Sequence, residues 1–170
     1  MRNSPVPPDS ASAVSCTRAD AVAGSAVAQF GVAFCLAAGA APQDYVQAAQ
    51  WYFKAADQNH RLAQFNLGQM FAHGQGVEQN DSMAAMWIRR AANGGDPGAQ
   101  FDLGDRLGRA SVRGSGTEAR ELRIEAYKWF KLAAAQGYRD ALNRSDSATV
   151  SMTREEVTEG NCRVNSFVMT

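Results

Sequence analysis

Apolar residues recur along this chain at helical spacings, in blocks. Ala63, Leu67 and Phe71 stand at i, i+4 and i+8, as do Ala99, Leu103 and Leu107, and each set draws a single stripe along one helix. Further on, Ala84, Trp87, Ala91 and Ala92 share one face while Arg89 and Arg90 turn outward. Each block therefore predicts two helices. Between them lie helix breakers: Gly74-Gln75-Gly76 and Gly114-Ser115-Gly116 within blocks, and Gly94-Gly95-Asp96-Pro97 between blocks, with Pro97 suited to a helix start.

The blocks are copies of one unit. Ala-Gln-Phe occurs at residues 28–30, 63–65 and 99–101, spaced by 35 and 36. The three tryptophans, Trp51, Trp87 and Trp129, are spaced by 36 and 42. Each has an alanine three residues before it (Ala48, Ala84, Ala126) and an alanine pair after it (Ala55-Ala56, Ala91-Ala92, Ala133-Ala134). The array has three units with a six-residue insertion in the third, read as a long loop from Arg109 to Glu121. Small alanines beside a large indole let two helices approach closely while the ring fills the gap between them. A lone helix pair cannot bury both its faces, so stability has to come from stacking neighbours.

Leu67-Gly68-x-x-Phe71-x-x-Gly74-x-Gly76-Val77, followed by Ala84-x-x-Trp87-x-x-x-Ala91-Ala92-x-x-Gly95, closely resembles the Sel-one-like repeat, a relative of the tetratricopeptide repeat. Unit one departs with Val32-Ala33 and a loop at Ala41-Pro42. Unit three keeps Leu103-Gly104 but has Leu107 for the aromatic. The resemblance implies an all-α fold, a right-handed α/α solenoid of three helix-pair repeats. It also implies a non-catalytic role, binding a protein or peptide in the concave groove, with bacterial signalling and envelope regulation as usual settings.

The ends read as caps. Residues 1–15 hold three of the five prolines and are expected to be a disordered tail. A short helix around Thr17 to Ala23 precedes a solenoid over 16–142, with repeats at about 25–60, 61–96 and 97–138. Asp140 to Ala148 resembles the first helix of an incomplete fourth unit. Thr153 and Glu156 have capping-box spacing, which predicts a last helix from Arg154 to about Phe167 inside a C-terminal cap, 143–170. Gly160 and the β-branched residues weaken that helix on propensity.

Composition narrows the function. There are 31 alanines but only two isoleucines, Ile88 and Ile124, which opposes a sheet protein. Seventeen basic residues balance seventeen acidic ones, so nothing favours nucleic acid broadly. Cys16, Cys35 and Cys162 are odd in number and far apart, and read as free thiols in a reducing cytoplasm. The uncharged stretch Ala21–Ala40, ending in small residues, offers a second address, periplasmic or secreted, if it acts as a signal peptide. Its glycines and polar residues oppose membrane insertion. Oligomeric state is not legible.

Signatures of chemistry are sparse. His60 and His73 lack the spacing of a metal pair, and His60 reads as solvent-facing in its turn. No phosphate-binding or dinucleotide-binding glycine loop occurs, and no Ser-x-x-Lys. No catalytic residue, cofactor or metal is called. The candidate partner-binding residues are Phe30, Phe65 and Phe101, which lie about 160° from the stripe joining the helix pair. Phe34, Gln69, Asp105 and Arg109 lie one or two turns further along. Tetratricopeptide-like arrays put that side of the first helix on the groove. The three phenylalanines either form an aromatic ladder there or pack as core between units, and both readings stand at this point.

Overall fold

Alanine-rich segments bounded by caps and glycines fold as helices throughout. The computed structural model describes residues 18–39, 41–138 and 140–168, apart from the side chain of Pro42. The expected disordered tail, 1–15, lies outside the described residues. Among those described there are nine helices and no strand: α1 (Arg18–Val22), α2 (Ala26–Gly39), α3 (Pro42–Asp57), α4 (Arg61–His73), α5 (Asp81–Asn93), α6 (Pro97–Arg113), α7 (Gly116–Ala135), α8 (Ala141–Thr149) and α9 (Arg154–Val168). Helices α2/α3, α4/α5 and α6/α7 form the pairs, and α3 against α4, α5 against α6 and α7 against α8 join them into an all-α solenoid.

Close approach explains the small residues. A Cβ on Gly68 would come within 2.7 Å of Ile88 Cγ1 and 3.2 Å of the Ala84 carbonyl oxygen. At the matching place, a Cβ on Gly104 would meet Phe130 at 2.8 Å and the Ala126 oxygen at 3.2 Å. Unit one has Ala33 there, fully buried. The loop glycine Gly76, at φ 68°, closes the hairpin onto the preceding unit, where any side chain would collide with the Tyr45 backbone.

The tryptophans fill the space this leaves. Trp87 and Trp129 are buried, and their indole N–H groups make no hydrogen bond, so packing holds them. Phe53 of the preceding unit meets Trp87 edge-on at 5.5 Å. Trp51, in the first unit, is only half-buried.

Two expectations change. The insertion in unit three is no long loop: α6 runs on to Arg113 and α7 starts at Gly116, so the added residues extend both helices and leave a short turn. Gly160 is no weak point either. It is where α9 crosses α7, with Tyr127 Cδ1 only 2.6 Å from where a Cβ would stand.

The capping box forms. The Glu156 amide donates to Thr153 Oγ1 at 3.2 Å, and the Thr153 amide to Glu156 Oε2 at 2.9 Å. The buried Glu156 carboxylate also pairs with Arg123 at 3.0 Å and Arg120 at 3.7 Å on α7. Arg163 completes the docking through Glu121 and Glu125, both at 2.9 Å. Val164 and Phe167 cover the core around Trp129. Replacing Gly160 by Val should overpack this crossing and lower stability by about 1–3 kcal/mol. An unchanged denaturant midpoint would show that α9 tolerates a wider spacing from α7.

Candidate functional site

Each glutamine of the repeated Ala-Gln-Phe is buried and reaches back to a carbonyl eight residues earlier. Gln29 Nε2 donates to the Ala21 oxygen at 3.1 Å, Gln64 to Ala56 at 3.0 Å and Gln100 to Ala92 at 3.2 Å. The accepting alanine sits at the end of the preceding helix, so each bond ties one unit to the one before it. A second glutamine adds to two of them. Gln58 Nε2 donates to Gln29 Oε1 at 2.8 Å, and Gln136 to Gln100 at 2.9 Å. Sequence reading used these glutamines only as markers of the repeat. The signal was there: a polar residue recurring between Ala and Phe on helices that bury both neighbours' faces.

The phenylalanine that follows points forward to the next unit. Phe30 is buried and stacks on His60 at 4.7 Å. Phe65 lies over Gly98, whose Cβ would stand 3.3 Å from the ring. Phe101 meets Tyr138 at 5.0 Å. Each ring lies against residues at the start of the next unit, and Phe30 and Phe101 also meet Tyr52 and Phe130 of their own units. Phe65 and Phe101 stay half-buried, so packing contacts and a partly accessible face coexist in this row.

That turn is itself repeated. Gly24, Asn59, Gly95 and Gly137 all take positive φ, at 104°, 62°, 84° and 79°. The residue after three of them caps the next helix: Ser25 Oγ accepts from the Ala28 amide at 3.4 Å, His60 Nδ1 from Ala63 at 3.3 Å, and Asp96 Oδ1 from Ala99 at 2.8 Å. Burial pushes the Asp96 carboxyl up, while the Ala99 amide and the Arg61 charge draw it back part of the way. His60 is therefore a half-buried cap rather than a solvent-facing turn residue. Burial, with the nearby Arg61 charge, lowers its pKa.

Two consequences can be measured. Replacing Gln64 by Leu removes a buried donor and should cost about 1–3 kcal/mol. Equal unfolding of that variant and the native chain would reduce the glutamine to a spacer. For His60 the folded pKa is below the unfolded one, so the unfolded chain binds the proton more readily, and stability should fall as pH drops below about 6.5. His60→Asn keeps a capping oxygen without titrating. It should flatten that part of the stability profile between pH 7.5 and 5.5, and an unchanged slope would assign it to another group.

Further along the first helices is a second row at the same repeat register: Phe34 on α2, Gln69 on α4 and Asp105 on α6, all half-buried. Phe34 stands 6.1 Å from Phe30, ring to ring. Asp105 pairs with Arg109 one turn on, and with Arg144 across on α8. The side chains of Arg109 and Arg144 are 66% and 51% exposed, so these cations face water. The row grades from aromatic at one end, through an amide, to a charged cluster at the other.

The cysteine expectation is corrected. Cys35 is disulfide-bonded, and only Cys162 is a free thiol among the described cysteines. Ala26–Gly39, within the stretch that resembled a signal peptide, is α2 of the solenoid. Among the described residues no helix is long and apolar enough to cross a membrane, and no cluster of His, Cys, Asp and Glu is arranged to hold a metal.

Helix pairs joined by a buried glutamine bond where α1 meets α2, α3 meets α4 and α5 meets α6 define an α/α repeat protein. The family model described as Sel1 repeat matches residues 26–60, 61–96 and 97–138. The chain belongs to the Sel1 repeat family. Among solved structures it is similar to a Sel1 repeat protein from Oxalobacter formigenes, at 31% identity and TM-score 0.61, covering 76% of this chain and 94% of that one. It also shares the fold of c5321, a protective antigen of uropathogenic Escherichia coli strains with an SLR fold, at 23% identity and TM-score 0.75 over 88% of this chain. The chain spans only 31% of that antigen's length. Comparison with curated protein sequences gives no match.

Proposed function

We propose that this protein is a non-catalytic scaffold that binds a protein or peptide segment along the second row of its first helices. Sel1 repeat proteins are generally protein-interaction scaffolds. The observation that carries the assignment to this row is its grading: Phe34, Gln69, then Asp105 with Arg109 and Arg144, at one register on successive first helices. An aromatic anchor at one end and exposed cations at the other would orient a segment with an apolar and an acidic end. Phe30, Phe65 and Phe101 border the row and act mainly through the junctions, so direct partner contact falls to Phe34, Gln69, Asp105 and Arg109. The bonded state of Cys35 supports an oxidising compartment, and with it the envelope reading, over the reducing cytoplasm.

The test takes two steps. Partners are captured on the immobilised full chain and identified by mass spectrometry, and affinity is then measured on variants. Arg109→Glu should weaken binding at least tenfold, about 1.4 kcal/mol, with the unfolding midpoint unchanged. Phe65→Ala should instead lower the midpoint, because its ring fills a junction. Native affinity in Arg109→Glu, together with lost affinity in a fully stable Phe65→Ala, would move the site onto the phenylalanine ladder.

A further inference from the structure

Helix α9 stands outside the repeat. Helices α8 and α9 each pack on α7 and scarcely on each other, so α9 is not the second member of a fourth pair. On α5 the positions matching Arg123 and Tyr127 of the α9 seat are Asp81 and Ala85, and both are exposed. Junctions therefore form without a helix on that face. One ring contact shows α9 standing in for a repeat residue. Phe53, two residues past Trp51, meets Trp87 edge-on at 5.5 Å. Two residues past Trp87 stands the exposed Arg89, and Trp129 takes its edge-on partner from α9 instead, Phe167 at 5.4 Å.

The α9 side of the contact is a single stripe. Glu156, Gly160, Arg163 and Phe167 fall at i, i+4, i+7 and i+11, one face of a helix. They meet, in order, Arg120 with Arg123, the Tyr127 ring, Glu121 with Glu125, and Trp129. The Tyr127 hydroxyl also donates to Asn161 Oδ1 at 3.1 Å. On α9 only Glu156 and Gly160 are buried, while Val164 and Phe167 stay half-buried. With so little apolar burial, charge pairing carries much of the docking, and the Arg163 pairs are partly open to water and salt. A free helix of this length, with a glycine and β-branched residues, is marginal.

We propose that this face of α7 is a helix-docking site, held in cis by α9 and surrendered to a partner helix that carries the same stripe: a carboxylate, a small residue, a cation and an aromatic ring. The partner's carboxylate replaces Glu156 between Arg120 and Arg123, and its ring replaces Phe167 on Trp129. While docked, α9 lowers the partner's apparent affinity, because only molecules with α9 released can bind. The seat lies on a second helix and the row of proposed contacts on first helices, so either surface can fail alone.

The probe is a synthetic peptide of residues 153–168 with Cys162→Ser, acetylated, amidated and labelled with fluorescein. In the native full chain, α9 amides should exchange with solvent about tenfold faster, or more, than those of α7. Unlabelled peptide at about 1 mM, comparable to the effective concentration of a short tether, should speed α9 exchange further and leave α6 and α7 unchanged. In the full chain, Glu156→Lys reverses the charge that latches α9. The labelled peptide should bind that variant about tenfold tighter, or more, than it binds the native chain. Peptides carrying Glu156→Lys or Phe167→Ala should lose this binding. Either α9 exchange that the native peptide leaves unmoved, or a folded Glu156→Lys chain that fails to bind it, overturns the proposal. The exchange measurement decides alone if that variant does not fold. Equal binding of the charge-reversed peptide would rule out the stripe as the recognised feature. A native chain that elutes as a dimer with α9 exchanged between copies would give the seat to a second copy and end the partner reading.

Discussion

The junction between units turns on one buried hydrogen bond, from a glutamine carboxamide to the carbonyl ending the helix before it. Helix ends leave carbonyls without an intrahelical donor, and burying them unpaired would be costly. The turn amides of Gly24, Asn59 and Gly95 already pair with those carbonyls, and the buried carboxamides of Gln29, Gln64 and Gln100 add a second donor from the next unit, which fixes the position of each following helix. Apolar contacts supply most of the stabilisation but are not directional. The carboxamide is, and it sets the angle and register at which Ala63 and Ala99 can come to zero exposure. The forward-facing phenylalanine and the left-handed turn residue act within a geometry already set by this bond.

Because each junction is built from nearby sequence, the array behaves as a one-dimensional stack, with each unit touching only its neighbours. The surface row Phe34, Gln69 and Asp105 is then positioned by the junctions while keeping part of each side chain at the surface. Its members can differ in chemistry while the backbone under them repeats. That separation lets one fold present an aromatic, an amide and a charged cluster in a line.

Much of this was legible in the sequence. The alanine and tryptophan spacings gave the pairs, the capping box gave α9, and Gly74 and Gly76 gave the hairpin turn. What stayed hidden depended on partners distant in sequence. Gly160 reads as a poor helix residue until Tyr127 is seen pressed against it. His60 reads as a turn residue until the Phe30 ring is found stacked on it. The phenylalanine row could not be assigned from angles alone, since the side of a first helix away from its partner meets both the groove and the next unit. Cysteine spacing was misleading too: Cys35 is bonded although no other cysteine stands near it in sequence.

The lengthened hairpin of unit three and the C-terminal helix are one feature. The residues by which α7 outruns α5, Gly116 to Leu122, include Arg120 and Glu121, which reach Glu156 and Arg163 on α9. An ordinary unit would have no such ledge for α9 to rest on. Unit three therefore carries the seat of α9 within its own length, and is not interchangeable with the units ahead of it. A longer array of this kind could be built by inserting repeats before Pro97, whereas a copy placed directly after α7 would compete with α9 for that ledge.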